Sequence, residues 1–356
     1  MFQTIISTIS SFMYSKLLVI ILIGAGVYFT VRTRFPQVRL FKNACGSVME
    51  KPEDKGAISS FQALMVSTAS RVGMGNIVGG SSAICIGGFG PVFWMWVIAI
   101  IGGILAVLTG WCLLGDGSRI VKVTSMFVRI FEEAFDFRAI FGAFSGSAMM
   151  QGIRRGLYSN EAGIGSAPNA SASANVSHPV KQGLVQMLSV FIDTLLLCTA
   201  TAMMCMSSGI DPAKELQGAP WVQASLQESL GSFGPIFITV AMVFFAFTTL
   251  LGNCFYCDNL LIYIHKKQPE KAFMKGFRLV SALAIFLGAG MEMSLLWDLS
   301  DVLMGVMALI NIPVILILSG IAFKAIQDYE AQLKQGINPV FKSADIDLRQ
   351  KTDFWR

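Results

Sequence analysis

The chain has 356 residues, 54% of them hydrophobic and only 14% charged, with a mean hydropathy of +0.63; soluble domains carry about a quarter charged residues. This composition excludes a soluble globular protein and implies a multi-pass membrane protein. The formal charge of +5 does not point to nucleic acid, because the basic residues lie scattered in short loops and form no stripe with interleaved aromatics.

From the amino terminus, Leu17 to Thr30 is an apolar run that follows Lys16 and ends in Arg32 and Arg34 without a small-residue cleavage site, so it reads as a spanning helix and not as a signal peptide. Further runs long enough to span follow at Phe61 to Gly87, Pro91 to Leu114, Ala139 to Ala174, Gly183 to Met206, Phe233 to Tyr256, Phe277 to Met291 and Val302 to Phe323. Phe277 to Met291 is short and relies on flanking residues to complete its span. The expected fold class is therefore all-α and polytopic. The cysteines, an odd number set mostly in apolar runs (Cys85, Cys112, Cys198, Cys205, Cys254), are expected to be buried thiols and not a disulfide framework. Cys254 and Cys257 form a CxxC without the second pair or nearby His of a zinc set.

Lys and Arg in short loops mark the cytoplasmic side. Arg32, Arg34, Arg39, Lys42, Lys51 and Lys55 follow the first helix, and Lys266, Lys267, Lys271, Lys275 and Arg278 crowd the loop from His265. The amino terminus is thus outside. The stretches Asp211 to Glu228 and Glu292 to Asp301 are mostly acidic and read as outer loops, and the polar tail from Lys324 reads as cytoplasmic and partly disordered. Alternating these spans leaves one crossing missing. Val123 to Arg138 cannot supply it, since Arg129, Glu132, Glu133, Asp136 and Arg138 would each cost about 3 kcal/mol at the bilayer centre. Phe127 to Phe137 reads as an interfacial helix with Phe127, Ile130, Phe131, Ala134 and Phe135 on one face.

Two of the spans are broken by glycine-rich polar stretches, Ser70 to Asn76 and Arg155 to Ser166. Unwound backbone at membrane depth survives only where it lines a cavity or is buried against protein, and paired breaks in separated halves point to a transported substrate. Gly73 and Gly75 free backbone groups from the helix ladder, and Asn76 adds a polar side chain that a packing kink does not need. Helix ends at such breaks offer amides to an anion and carbonyls to a cation, which suits a zwitterionic amino acid with a small cation. Glu161 stands in the middle of the second break, and an ionisable group there calls for a partner, for which Arg71 is the candidate. Their charge pair serves either ion or proton handling or the geometry of two helices. Thr248 and Thr249 offer hard oxygens to a cation, or bond back to their own turn. Asp193 and Thr194 are a further intramembrane polar cluster, with Asp193 expected to bond to a broken helix. Hydrolase and phosphate-loop motifs are missing, so no catalytic residue, and no enzyme, is expected.

The chain resembles the sodium:alanine (alanine/glycine:cation) symporter family through Gly56 to Leu64, Val72-Gly73-Met74-Gly75-Asn76-Ile77, Gly87 to Trp96, Arg155 to Pro168, His178 to Gly183, Phe191-Ile192-Asp193-Thr194 and Ala246 to Thr249. The resemblance covers nearly the whole chain. It implies a leucine-transporter-like fold of two inverted repeats: an extra helix in 1–34, a first repeat in 35–138, a second in 139–323, and a tail in 324–356. It implies substrate contacts from Gly73, Met74, Gly75, Asn76, Gly163, Gly165 and Ser166, and sodium held by Ala69, Val72, Thr248 and Thr249. The implied activity is symport of alanine or glycine with sodium, without a cofactor or other metal, in the bacterial inner membrane. Met74 replaces the family's usual Thr. The resemblance also jumps at about Gly103 to Ala106 and near Met126, as if helices of the first repeat were absent, which coincides with the missing crossing and implies, as the alternative, a truncated, transport-inactive relative.

Overall fold

A computed structural model describes residues 2–52, 54, 57–71, 75–101, 126, 128–134, 148–161, 163–212, 216–346, 348 and 355. Apart from one isolated bridge between Ile58 and Ala174, the regular structure among them is helical. Among the described residues, five helices are long and apolar enough to cross a membrane: α1 (Phe2–Arg32), α8 (Pro179–Ser207), α10 (Phe233–His265), α11 (Lys271–Ala289) and α12 (Met293–Lys334). Between α1 and α8 lie α2 (Phe41–Val48), α3 (Ser60–Arg71), α4 (Gly80–Gly87), α5 (Gly90–Ile101), α6 (Ala148–Asn160) and the short α7 (Ala167–Ser171).

Several helices are longer than their apolar runs. α1 begins at Phe2 and passes through a wide π-turn at Met13–Leu17, because Phe2–Phe12 is itself apolar on one face and packs along α12, with Gln3 donating to Ser294 Oγ at 3.1 Å. α12 starts at Met293, so Glu292 to Asp301 is not an outer loop: Asp301 is a helical residue with 1% of its surface exposed. The acidic stretch 211–228 likewise contains a helix, α9 (Ala219–Leu230), anchored by the fully buried Trp221, whose Nε1 donates to the Ile210 carbonyl at 3.1 Å. At Asp301 a tertiary partner absorbs a charge that hydropathy alone sends to water, whereas Asp211 and Glu228 stay exposed.

Residues 128–134 are helical, with Ile130 and Ala134 fully buried and Phe131 45% exposed. Phe127 and Phe135, expected on the same face, lie outside the described residues, as do Gly103 to Ala106. The segment packs on the start of α5: Glu133 accepts from the Phe89 amide, and the Trp94 indole donates to the Ala134 carbonyl at 3.2 Å. α5 and α6 approach closely because Gly152 has no side chain; a Cβ there would lie 2.5 Å from the Pro91 carbonyl oxygen. Of the thiols, Cys85, Cys198 and Cys205 are buried, whereas Cys254 is exposed on α10. The tail folds back on the protein, with the Phe341 amide donating to the Ser177 carbonyl at 2.8 Å and the Trp355 indole to that of Val176 at 3.2 Å.

Candidate functional site

α3 ends at Arg71, and the chain resumes as a π-turn, Gly75–Gly79, that leads into α4. Val72, Gly73 and Met74 lie outside the described residues. Gly75 packs closely on α6, where a Cβ would sit 3.0 Å from Tyr158 Cδ1 and require that ring to shift.

The second break follows α6. Glu161 closes the last turn through its amide to the Leu157 carbonyl at 3.0 Å and takes a left-handed φ of 53°, a conformation that costs a non-glycine residue about 1–2 kcal/mol. Gly163 (φ 84°) and Gly165 (φ 92°) complete the reversal before α7. α12 grips it: Asn311 Nδ2 donates to the Gly163 carbonyl at 2.9 Å, and a Cβ on Gly165 would lie 2.8 Å from Asn311 Cγ. The two glycines therefore shape the break against α12.

Between the two breaks is a cavity of ≈ 300 Å³, lined by Ser70, Arg71 and Gly75, by Tyr158, Glu161 and Ser166, by Thr249 and Asn253 of α10, and by Met304 and Met307 of α12. Arg71 Nε stands 3.8 Å from Glu161 Oε2, too long for a hydrogen bond, while its other nitrogens donate to Ser189 Oγ at 3.1 Å and Gln186 Oε1 at 3.2 Å. Glu161 Oε2 accepts from the Ser166 hydroxyl. Arg71 Nε is buried without a hydrogen-bond partner, and such a donor is costly unless something completes it. The cavity is thus small and bordered by one cation and one carboxylate.

Thr249 Oγ1 lies 3.4 Å from the Ala69 carbonyl, which brings α10 against the end of α3. Gly252 makes this approach possible, since a Cβ there would be 2.9 Å from Ser70 Cα, and Ser70 donates to Asn253 Oδ1 at 2.8 Å. Thr248 instead bonds back to the Phe245 carbonyl at 3.1 Å. Asn76 turns away from the cavity: its amide donates to Asp193 Oδ1 at 2.7 Å, and its Oδ1 lies 3.2 Å from the Ser159 hydroxyl. Ser159 donates its one proton to Asp193 Oδ2 at 2.6 Å. Asp193, 1% exposed in the π-helical part of α8 (Phe191–Cys198), therefore ties both broken segments to one carboxylate.

A second buried carboxylate escaped the sequence reading. Asp301 of α12 accepts from Arg155 at 2.7 Å, with Arg154 Nη1 at 3.7 Å, while Trp297 stacks under Arg155 at 4.1 Å. The only sequence signal was a pair of adjacent arginines inside an apolar region, which itself demands a buried partner. Asn253 and Asn311 carried a similar weak signal, as lone amides within apolar helices.

Long apolar helices, two glycine breaks at a shared cavity and buried intramembrane charge pairs define a polytopic membrane protein built around an internal polar site. A model of the sodium:alanine symporter family matches residues 1–111 and 111–343, and the chain belongs to that family. It is 32% identical to the amino-acid carrier protein AlsT of Bacillus subtilis over 460 aligned residues, covering 99% of this chain and 98% of the relative. It is 31% identical to the probable sodium/glutamine symporter GlnT of the same organism, over 99% of this chain and 96% of the relative. The sodium/alanine symporter AgcS of Methanococcus maripaludis is 28% identical, over 93% and 99%. The alignment with AlsT spans 460 positions against 356 residues in this chain, so it opens large gaps here.

Proposed function

We propose that the chain is a sodium-coupled symporter of small neutral amino acids, alanine or glycine, working by alternating access in a bacterial inner membrane. The observation that carries this reading is the ≈ 300 Å³ cavity bordered by both breaks, with Arg71 and Glu161 in its lining. A zwitterion of small side chain suits a site that offers one fixed cation and one fixed carboxylate, Arg71 and Glu161, with Gly75 and Ser166 as close walls. Gly73 and Met74, the further substrate contacts of this reading, lie outside the described residues, while Asn76, Gly163 and Gly165 shape the site. The Ala69 carbonyl, Val72 and Thr249 are the sodium ligands, with Thr248 joining them only on turning from its own helix. The repeats at 35–138 and 139–323, with α1 as an addition before them, are the two bodies that move around the site.

A second reading has one observation in its favour. The family match falls into two pieces that meet at residue 111, and the relatives' alignments are longer than this chain. A chain short of first-repeat helices would be a transport-inactive membrane protein derived from the family. Purified protein in vesicles, given labelled alanine and an inward sodium gradient, separates the two. Symport predicts uptake that collapses when the gradient is dissipated and that excess unlabelled glycine suppresses. Inserted, folded protein with uptake equal to empty vesicles would sink it.

A further inference from the structure

We infer that the cleft between the inner ends of α1 and α12 is a binding site for the headgroup of an anionic phospholipid. This cleft, ≈ 580 Å³, shares no lining residue with the cavity between the two breaks. Its walls carry Arg32, Arg34 and Arg39 from the α1 side and Glu330 and Lys334 from α12.

The charges do not cancel. Glu330 is taken by Arg39, whose Nη2 lies 2.6 Å from Oε1 and also donates to the Thr33 carbonyl at 3.0 Å, while its Nε donates to the Arg34 carbonyl at 3.3 Å. Arg32, Arg34 and Lys334 then have no carboxylate partner among the described residues, and Arg32 has only the Phe323 ring, 5.5 Å from its guanidinium carbon. A concave site with three uncompensated cations attracts an anion.

Position says which anion. Immediately before the cleft, both helices show bare apolar side chains to the outside: Val31 is 60% and Ile317 82% exposed, with Val27 and Ile321 beside them at 49% and 44%. In a membrane, acyl chains cover such a surface. Tyr28, 43% exposed, packs against Phe323 at 6.1 Å, placing an amphipathic ring at the same level. The cleft therefore opens where hydrocarbon gives way to headgroups, and on the side that the basic loops assign to the cytoplasm. Guanidinium forks match phosphate oxygens, and basic pockets between membrane helices at the cytoplasmic face suit anionic headgroups. A phosphodiester held here would have its tails along Val27, Val31, Ile317 and Ile321, bracing α1 against the helix that grips the second break.

The test compares wild type with an Arg32→Gln/Arg34→Gln/Lys334→Gln variant, in detergent micelles supplemented with phosphatidylglycerol, phosphatidylcholine or inorganic phosphate. Native mass spectrometry counts retained lipid, and thermal unfolding is followed in parallel. Wild type is expected to retain phosphatidylglycerol over phosphatidylcholine and to be stabilised by it, with affinity falling about fivefold for each cation removed. Equal retention by the variant would overturn the site. Inorganic phosphate reproducing the stabilisation would overturn the lipid as its source. Should the triple variant not fold, Lys334→Gln alone, at an exposed position, gives the same reading on a smaller scale.

Discussion

Glu161 holds its left-handed backbone and its charge together, and both face Arg71 across the cavity. Glycine would adopt that φ without strain, so what the glutamate adds at this position is its carboxylate. A charge pair of this kind can serve transport or only fix two helices, and the two roles respond differently to substitution. Glu161→Gln keeps the shape and the acceptor for Ser166 but leaves Arg71 buried beside a neutral group, which costs about 3–5 kcal/mol when a buried pair is broken from one side. If the pair is structural, adding Arg71→Gln restores both the unfolding midpoint and uptake. If the two charges take part in transport, the double variant regains stability while sodium-driven uptake stays absent. We expect the second outcome, read by thermal unfolding and vesicle uptake on the same preparations; recovered uptake in the double variant would assign Glu161 to structure alone.

At the scale of elements, the contact between α3 and α10 depends on an absent side chain. Gly252 lies one turn beyond Thr249, and a Cβ on it would press on backbone, 2.9 Å from Ser70 Cα, rather than on a flexible side-chain tip. Gly252→Ala must push α10 away and lengthen the 3.4 Å approach of Thr249 to the Ala69 carbonyl. Overpacking of this kind costs about 1–3 kcal/mol. The expected signature is a sodium requirement for uptake shifted to higher concentration with a smaller change in alanine affinity; an unchanged sodium curve would remove Thr249 from the coupling site. The elements were legible where composition is uniform, as in α10 and α11, and where glycines and polar residues interrupt an apolar run, as at Gly75 and at Glu161 to Ser166. They were not legible where a distant partner rescues a charge. Asp301 read as part of an outer loop because its neighbours Asp298 and Glu292 lower the local hydropathy, and the arginine that neutralises it stands 146 residues away in the chain. Thr248 and Thr249 are adjacent in sequence, yet only the geometry separates the one that faces Ala69 from the one that bonds to its own turn.

Across the whole molecule, the turn before α8 ties three distant parts of the chain together. Lys181 meets Glu50 and donates to Asn338 Oδ1 at 2.8 Å, while Ser177 donates to the Pro339 carbonyl at 2.9 Å. His178 is fully buried at the centre, between the rings of Tyr329 and Phe341 at 5.0 and 5.2 Å. Its Nδ1 accepts from the Val180 amide at 3.2 Å and so caps α8, which leaves the proton on Nε2, 3.2 Å from Asp328 Oδ2. A second proton on Nδ1 would break the cap. Burial lowers the imidazole pKa below its ordinary 6.5, against the opposing pull of Asp328 and with help from Lys181. Because the folded protein resists protonation that the unfolded chain accepts, this stability is fully present above about pH 6.5 and is lost as the pH falls toward the lower folded value. The unfolding midpoint of the wild type should therefore be level between roughly pH 8 and 7 and drop on acidification below the ordinary imidazole value. His178→Asn retains a capping side chain but cannot titrate, so its midpoint should start lower and fall less steeply over the same range. Parallel slopes for the two proteins would mean that the acid sensitivity arises elsewhere, and that the junction of α2, α8, α12 and the tail is held by packing and Lys181 alone.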